Sequence, residues 1–330
     1  MAAAKSGSIE HVETERSNKV VRGIAFMIAA TVMFAISNAL SKWVVAHYPV
    51  GEVMFARSFS SLIVCSAFML PVTGLSVFAT RRVRDHLARG TSQAISQTFT
   101  VLAFSMMPLA GATAINFSAP LFSALVSVLW LKERAGAARW GTLLAGFAGV
   151  LIVARPGTDS FQLGALFALA NAVMYGSVTV AVRGMSKTES ANTLLMWQMV
   201  TLAVLHAGLL VFGCRWPSAR DGMLFASMGM ANAAAQYLWT RALHAAPATA
   251  VSPFYYFLLV WSMVLGFLVW GDVPTMSLLV GSGIVVASGL FLLYIEAQRT
   301  AALPGVKAAD AEAPPNAKDF FPARPAIGKL

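Results

Sequence analysis

The sequence predicts an all-α membrane protein in which ten transmembrane helices form two inverted repeats of five helices. Hydrophobic residues make up 58% of the 330 residues and charged residues only 12%, a balance far from that of soluble domains. Apolar stretches recur along the chain, each near the roughly 20 residues that a helix needs to cross a bilayer. The chain also matches itself when it is displaced by 141 residues. These observations therefore predict that most of the chain is embedded in a lipid bilayer.

The hydropathy of the chain predicts ten spans with little polar sequence between them. In order they are Gly23 to Ala46, Val53 to Val72, Thr91 to Met107, Gly111 to Leu131, Ala137 to Val153, Phe161 to Val182, Thr193 to Phe212, Met223 to Leu243, Ala246 to Trp270 and Met276 to Ile295. Residues 1–22 form a polar N-terminal tail, and the first span has no obvious cleavage site, so it is expected to remain as a signal-anchor helix. Residues 298–330 are rich in Ala and Pro and are expected to be a disordered tail.

The distribution of basic residues predicts that both termini are cytoplasmic, because Lys and Arg are retained on that side. With the N-terminus inside, the segments on the cytoplasmic side before the tenth helix hold fourteen basic residues and the opposite side holds three. The three are Arg155, Arg215 and Arg220. A bacterial inner membrane is the expected location.

An internal repeat divides the chain into residues 23–155 and 161–297. A displacement of 141 residues aligns Gly23 with Gly164 and Phe26 with Phe167. A displacement of 139 residues aligns Gln97 with Gln236 and Glu133 with Asp272, and each of these acidic residues closes an apolar helix. Two halves of five helices must have opposite topology because five is odd. Inverted repeats are typical of secondary transporters, whose substrate site lies between the halves near the midplane.

Three stretches carry a resemblance to a known family. They are "KWVVAHYPVGEVMFAR" between helices 1 and 2, "APLFSALVSVLWLKERAGAARWGTLLAGFAGVLIVARPG" around the "KER" that ends helix 4, and "SPFYYFLLVWSMVLGFLVWGDVP" in the second half. Residues 20 to 297 thereby resemble the drug/metabolite transporter superfamily, in its ten-helix type with two EamA domains. Asp272 departs from the family, which usually has Glu there. The resemblance implies facilitated or ion-coupled movement of small metabolites such as amino acids, nucleosides or vitamins across the inner membrane.

Polar stripes on the apolar helices predict the substrate site, since a polar side chain facing lipid is costly. Helix 3 carries Gln93 and Gln97 one turn apart, and helix 8 carries Asn232 and Gln236 at the aligned positions, beside Trp239. The predicted substrate-binding residues are Asn38, Gln93, Gln97, Asn116, Asn171, Tyr175, Gln236, Trp239 and Tyr255. The alternative is that they form interhelical hydrogen bonds and ordinary aromatic packing. Amides beside aromatic rings favour a ring-bearing solute, such as an aromatic amino acid or the vitamin riboflavin.

Four further residues are candidates for gating or coupling. Lys42 lies near the outer end of helix 1, where its amine can reach water. Arg57 lies roughly 7.5 Å deeper than Glu52 at the helical rise per residue. Arg57 is expected to attract an anionic substrate group or to form an outer gate with Glu52, and the alternative is a cation bonded to helix-end carbonyls. His206, near the middle of helix 7, can relay protons or bond a nearby carbonyl as a neutral ring.

Other classes of protein find less support. The basic residues sit in short clusters between apolar runs, which disfavours nucleic acid as a partner. The chain lacks the residue patterns of a membrane zinc enzyme or an intramembrane aspartyl enzyme, and we expect no catalytic activity, cofactor or metal.

Cys65 and Cys214 are expected to be small buried residues. The expected partners are a small-molecule substrate and the lipid bilayer, with the chain a monomer or weak homodimer. The alternative function is a structural or signalling membrane protein that transports nothing.

One packing surface is also predicted from spacing alone. Gly141, Ala145 and Gly149 recur every four residues on helix 5 and define a face where another helix can approach closely.

Overall fold

A computed structural model describes residues 2–129, 136–155, 163–185, 189–246 and 248–301, which are helical except for short connections. Their α-helices are α1 (Ala2–Val45), α2 (Val50–Thr73), α3 (Val83–Met106), α4 (Leu109–Asn116), α5 (Ala119–Leu129), α6 (Ala137–Ala154), α7 (Gly164–Met185), α8 (Ala191–Gly208), α9 (Ala219–Ala245), α10 (Ala248–Val251), α11 (Phe257–Trp270) and α12 (Met276–Ala301). Short 3-10 helices span Gly74–Phe78, Leu209–Phe212 and Ser252–Tyr256.

Within these described ranges, six helical segments are long and apolar enough to cross a membrane. They are Lys19–Val45, Val50–Phe78, Ala137–Ala154, Asn192–Phe212, Pro253–Trp270 and Met276–Ile295. Leu109–Leu125 and Gly164–Tyr175 are shorter apolar segments. α3 and α9 are long but more polar, because they carry the predicted amide stripes and charged residues near their ends. The all-helical membrane fold agrees with the sequence prediction.

The predicted fourth and ninth spans are interrupted rather than continuous. α4 ends at Asn116 and α5 begins at Ala119, one residue before Pro120. Proline has no backbone N–H and cannot bond to the carbonyl four residues earlier, so the helix breaks there. The ninth span passes from α10 through a 3-10 segment containing Pro253 into α11. Both breaks place irregular backbone inside the bundle.

Both outer helices run past the predicted spans. α1 begins at Ala2, so the backbone of the predicted N-terminal tail is helical, and α12 continues to Ala301. Residues 302–330 of the predicted disordered tail, and Glu133 at the end of the fourth span, lie outside the described residues.

Helices from the two halves pack directly on one another. α1 packs along α9, α3 along α7, and α2 against both α8 and α9. α6 packs along α12 and α4 against α11. The largest apolar cluster lies between the halves and includes Phe104 of α3, Ile115 of α4 and Leu258 of α11. The core therefore depends on residues far apart in the chain.

The close-packing face on α6 differs from the prediction. Gly149 is buried and lies so close to α12 that an added Cβ would be 2.8 Å from the Gly281 carbonyl oxygen. Gly141 and Ala145 are exposed, and Gly146 packs instead on Leu121 of α5. The prediction was wrong for Gly141 and Ala145, because the four-residue spacing allows several faces and the neighbouring helix selects one of them.

Candidate functional site

Two predicted binding residues bond to each other. The Asn171 side-chain Nδ2 donates to Asn116 Oδ1 at 2.7 Å, and Ser96 Oγ donates to Asn171 Oδ1. This chain of polar groups joins α3, α4 and α7 in the interior, and Asn171 is only 8% exposed. Asn116 and Asn171 therefore position helices in this conformation, as their alternative interpretation stated.

Other predicted amides keep their polar atoms free. Among the described residues, no hydrogen bond engages the side chains of Asn38, Gln97 or Gln236, and all three are partly exposed. Gln93, one turn before Gln97, is 8% exposed. Free amides on helices that surround the bundle interior can donate to and accept from a solute.

Aromatic residues from several helices lie close together. The Tyr255 ring meets Phe34 edge-on at 6.1 Å and Phe117 edge-on at 5.7 Å. Tyr255 also lies within electrostatic reach of Tyr175 on α7, whose side chain is 42% exposed. Trp239 packs against the apolar cluster around Met27. Rings from α1, α7, α9 and the segment before α11 therefore reach one region.

Arg57 is buried and bonded to a neutral partner. Its Nη2 donates to Asn232 Oδ1 at 3.0 Å, and Asn232 Nδ2 in turn donates to Ser61 Oγ at 3.0 Å. Its Nε is buried without a hydrogen-bond partner in the described part of the chain. Glu52, the gate partner expected from the sequence, instead accepts a hydrogen bond from the backbone N–H of Arg215 at 2.9 Å.

His206 has a partner at each ring nitrogen. Ser58 Oγ lies 2.7 Å from Nδ1, and the Ala94 carbonyl oxygen lies 3.4 Å from Nε2. The ring thus joins α8 to α2 and α3. These contacts match the interpretation of His206 as a neutral histidine bonded to a carbonyl.

Polar contacts join helix ends on the side of the bundle that the sequence predicts to be the outer one. Lys42 Nζ donates to the Met107 carbonyl oxygen at 2.7 Å and lies 5.3 Å from the centre of the Trp270 ring. Tyr48 donates to Asp221 Oδ2 at 2.8 Å, which links the loop after α1 to the start of α9. Hydrogen bonds from Ser218 and then from Tyr48 lower the pKa of Asp221 below its ordinary value of 3.8.

A cleft of about 430 Å³ lies at this end of the bundle, next to the Met107 carbonyl that accepts from Lys42. Its lining includes Met107, Arg155, Gly266 and Asp272. Asp272 lies within electrostatic reach of Lys42, and its Oδ2 is buried without a hydrogen-bond partner among the described residues.

Sequence reasoning missed Arg89. It is one of the fourteen basic residues assigned to the cytoplasmic side. It lies on α3 and donates to the Leu194 carbonyl at 3.0 Å and to Gln198 Oε1 at 2.6 Å. Arg89 also lies within electrostatic reach of Tyr175. Its position four residues before Gln93 continues the polar stripe, and this spacing was the signal that could have found it.

These features define a helical membrane protein with polar and aromatic side chains gathered between its halves. The model of the EamA-like transporter family matches residues 21–155 and 162–294. The chain therefore belongs to the EamA-like transporter family, and the resemblance drawn from the "KER" region is confirmed.

Several characterised transporters are similar to this chain. A riboflavin transporter of Rhizobium johnstonii is 28% identical over 285 residues, covering 86% of this chain and 94% of that protein. An S-adenosylmethionine uptake transporter of Rickettsia bellii is 26% identical over 274 residues, covering 83% and 94%. A pseudopaline exporter of Pseudomonas aeruginosa is 26% identical over 272 residues, covering 82% and 95%.

One solved crystal structure shows the same fold. It is 20% identical, superimposes with a TM-score of 0.57, and the match covers 83% of this chain and 98% of that chain. Together with the family match, the comparisons make this chain a multi-pass inner-membrane transporter of a small molecule and not an enzyme.

Proposed function

We propose that this protein carries a small organic metabolite across the inner membrane by alternating access between two inverted halves. The chain would cross the membrane ten times, with both termini in the cytoplasm. The two halves would rock about the polar interior and expose it to one side at a time. The helix packing is the observation that carries this proposal.

The packing keeps its pattern when the halves are exchanged. If α1, α2 and α3 correspond to α7, α8 and α9, the pair α1 and α9 becomes the pair α7 and α3, and both pairs are observed. The pair α2 and α9 likewise becomes α8 and α3. Two pairs map onto themselves, namely α2 with α8 and α6 with α12. With α5 corresponding to α11, the pair α1 and α11 becomes the pair α7 and α5, and both pairs are observed. A pseudo-twofold axis in the membrane plane accounts for all of these pairs.

The free amides and aromatic rings provide the substrate site. Asn38, Gln97 and Gln236 would hydrogen-bond the solute, while Tyr175 and Tyr255 offer ring faces. Asn116 and Asn171 would hold the helices around the site. The named substrates of the relatives, riboflavin and S-adenosylmethionine, both carry rings and polar groups, and they are the first candidates.

The closed outer end supports a gate around Lys42. Lys42 of the first half lies over the Trp270 ring and within electrostatic reach of Asp272, both in the second half. In the aligned repeats Lys42 corresponds to Arg183, and Asp272 corresponds to Glu133. The repeat therefore makes Arg183 and Glu133 the positions to substitute in a search for a cytoplasmic gate.

Transport in liposomes tests the proposed function. The purified chain should accumulate one or more labelled solutes from a panel of riboflavin, S-adenosylmethionine and aromatic amino acids. Gln97→Ala and Gln236→Ala should each reduce uptake about tenfold or more, because each removes hydrogen bonds to the solute. Gln298→Ala, on the exposed end of α12, is the matched control and should keep full uptake.

Transport of none of these solutes, with folded protein in the membrane, would contradict the proposal and favour a non-transporting membrane protein. Full activity in both glutamine variants would leave the carrier function standing but remove the two glutamines from the site.

A further inference from the structure

We propose that the transported substrate bears an anionic group, a carboxylate or a phosphate, and that Arg57 binds this group. The inference rests on the proposed transport function and names the chemical class of its substrate. It is carried by the burial of Arg57, by its neutral partners and by its unpartnered donor.

Arg57 is a buried cation without a counterion. Its side chain is 7% exposed. No carboxylate of the described residues lies within 4.0 Å of its guanidinium. Glu52, five residues earlier on α2, has its Oε2 bonded to the backbone of Arg215. A buried charge is costly unless it is paired, so an anion from outside the chain would stabilise this position.

The guanidinium is held in place with donors to spare. Asn232 engages Nη2 and is itself held by Ser61, which donates to the Gly229 carbonyl oxygen at 3.0 Å. This relay holds one end of the guanidinium between α2 and α9. The Nε–H group remains buried without a partner. The free N–H groups of a planar guanidinium match the two oxygens of a carboxylate or phosphate.

Two residues of the proposed substrate site lie near Arg57. Gln236 lies one helical turn beyond Asn232 on α9. Tyr255 lies within electrostatic reach of Arg57. A solute could therefore place its anionic group on Arg57 and its rings or amide-bonding groups against Tyr255 and Gln236. None of these neighbours carries a negative charge that would compete for the guanidinium.

Matched pairs of solutes test this inference. Riboflavin 5′-phosphate and riboflavin differ by a phosphate, whereas pantothenate and panthenol differ by a carboxylate. Binding is measured as the concentration-dependent rise in the melting temperature of the purified protein, and each solute is also tested as an inhibitor of uptake. We expect the anionic member of at least one pair to bind about tenfold or more tightly than its neutral partner. The pair that responds identifies the anion.

Two variants assign the preference to a residue. Arg57→Gln should abolish the preference for the anion, and Arg57→Lys should retain part of it. Arg84→Gln removes an exposed cation at the start of α3 and should leave the preference unchanged. Size-exclusion profiles and the melting temperature without solute report whether each variant is folded. If Arg57→Gln does not fold, the Lys variant and the wild-type comparison still decide the outcome.

The inference is overturned if neither anion stabilises the protein more than its neutral partner, or if the Arg57 variants keep the full preference. Uptake of a neutral solute with equal rates in wild type and Arg57→Gln would overturn it while supporting the proposed function. Absence of uptake for every solute would instead count against the proposed function. The binding measurement does not depend on transport, so it still tests the preference for an anion.

Discussion

Several buried polar side chains in this protein contact residues far away in the sequence, and His86 near the start of α3 is an example. Its ring is 1% exposed and stacks on Trp197 of α8 with centroids 5.5 Å apart. Its Nε2 lies 3.7 Å from Glu189 Oε2. Burial lowers the pKa of His86 below its ordinary value of 6.5, and Glu189 opposes this shift without cancelling it.

The depressed pKa of His86 predicts a loss of stability in mild acid. The unfolded chain binds a proton near pH 6.5 and the folded chain binds it only at lower pH, so the contribution is absent above pH 6.5 and stability falls as pH decreases through that value. Arg89 and Asp85 also act on the ring, and Arg89 lowers its pKa further. Melting temperatures compared at about pH 7.5 and about pH 5.5 should differ less in His86→Phe than in wild type, because the variant cannot titrate.

The exposed neighbour Leu87 provides the control for this measurement. Leu87→Ala should leave the wild-type dependence on pH unchanged, because it removes no titrating group. An equal drop in melting temperature for wild type and His86→Phe would show that His86 is not responsible.

At the scale of elements, small residues decide how closely α6 and α12 pack. The Gly281 position allows the α6 backbone to approach, since an added Cβ would lie 2.7 Å from the Val153 side chain and 2.8 Å from the Gly149 carbonyl oxygen. Gly283, on the same helix, has no atom within 4 Å of an added Cβ. Substitutions at these two glycines therefore distinguish the effect of helix packing on stability from the effect of helix propensity.

Substitution of these two glycines should change the stability of the protein to very different extents. Gly281→Leu should destabilise the protein by about 1–3 kcal/mol or more, because the extra side chain forces the two helices apart. Gly283→Leu should cost little, since its side chain meets open space and leucine favours helix over glycine. Thermal unfolding in detergent measures both. Equal melting temperatures for the two variants would contradict the close approach of α6 and α12.

At the scale of the whole molecule, the proposed alternating access depends on the membrane topology, and the two cysteines offer a way to test that topology. Cys214 lies in the connection before α9 and is exposed, whereas Cys65 on α2 is buried. The sequence-based expectation that both cysteines are buried was wrong for Cys214, because the helical segment ends at Phe212 and the chain then leaves the apolar bundle. Cys214 is thus a natural reporter for one side of the membrane.

Labelling of Cys214 tests the predicted orientation. A maleimide that cannot cross membranes should label Cys214 from outside intact spheroplasts, since the connection before α9 is predicted to be periplasmic. A cysteine introduced as Ser8→Cys in a Cys214→Ser background should react only after lysis, because the N-terminus is predicted to be cytoplasmic. Labelling of both positions from the same side would contradict the inverted arrangement of the halves.

Much of the fold could be read from the chain because hydropathy is a local property. Apolar stretches predicted where helices lie, and the "KER" region led to the family that was confirmed. The breaks at Pro120 and Pro253 show the limit of this reasoning, since a continuous apolar run concealed two helices with an irregular connection. The amide stripes predicted the polar faces of α3 and α9, but the sequence did not show which amides form hydrogen bonds with other helices.

The sequence by itself determined the membrane class, the helical segments and the residue types that lipid would reject, because these follow from the composition of each stretch. Only the tertiary structure decided that Asn171 bonds to Asn116 and Ser96. It also decided that Arg57 bonds to Asn232 while Glu52 bonds elsewhere. Such pairings depend on the rotation and depth of helices that are distant in sequence, and helix–helix packing sets both of these.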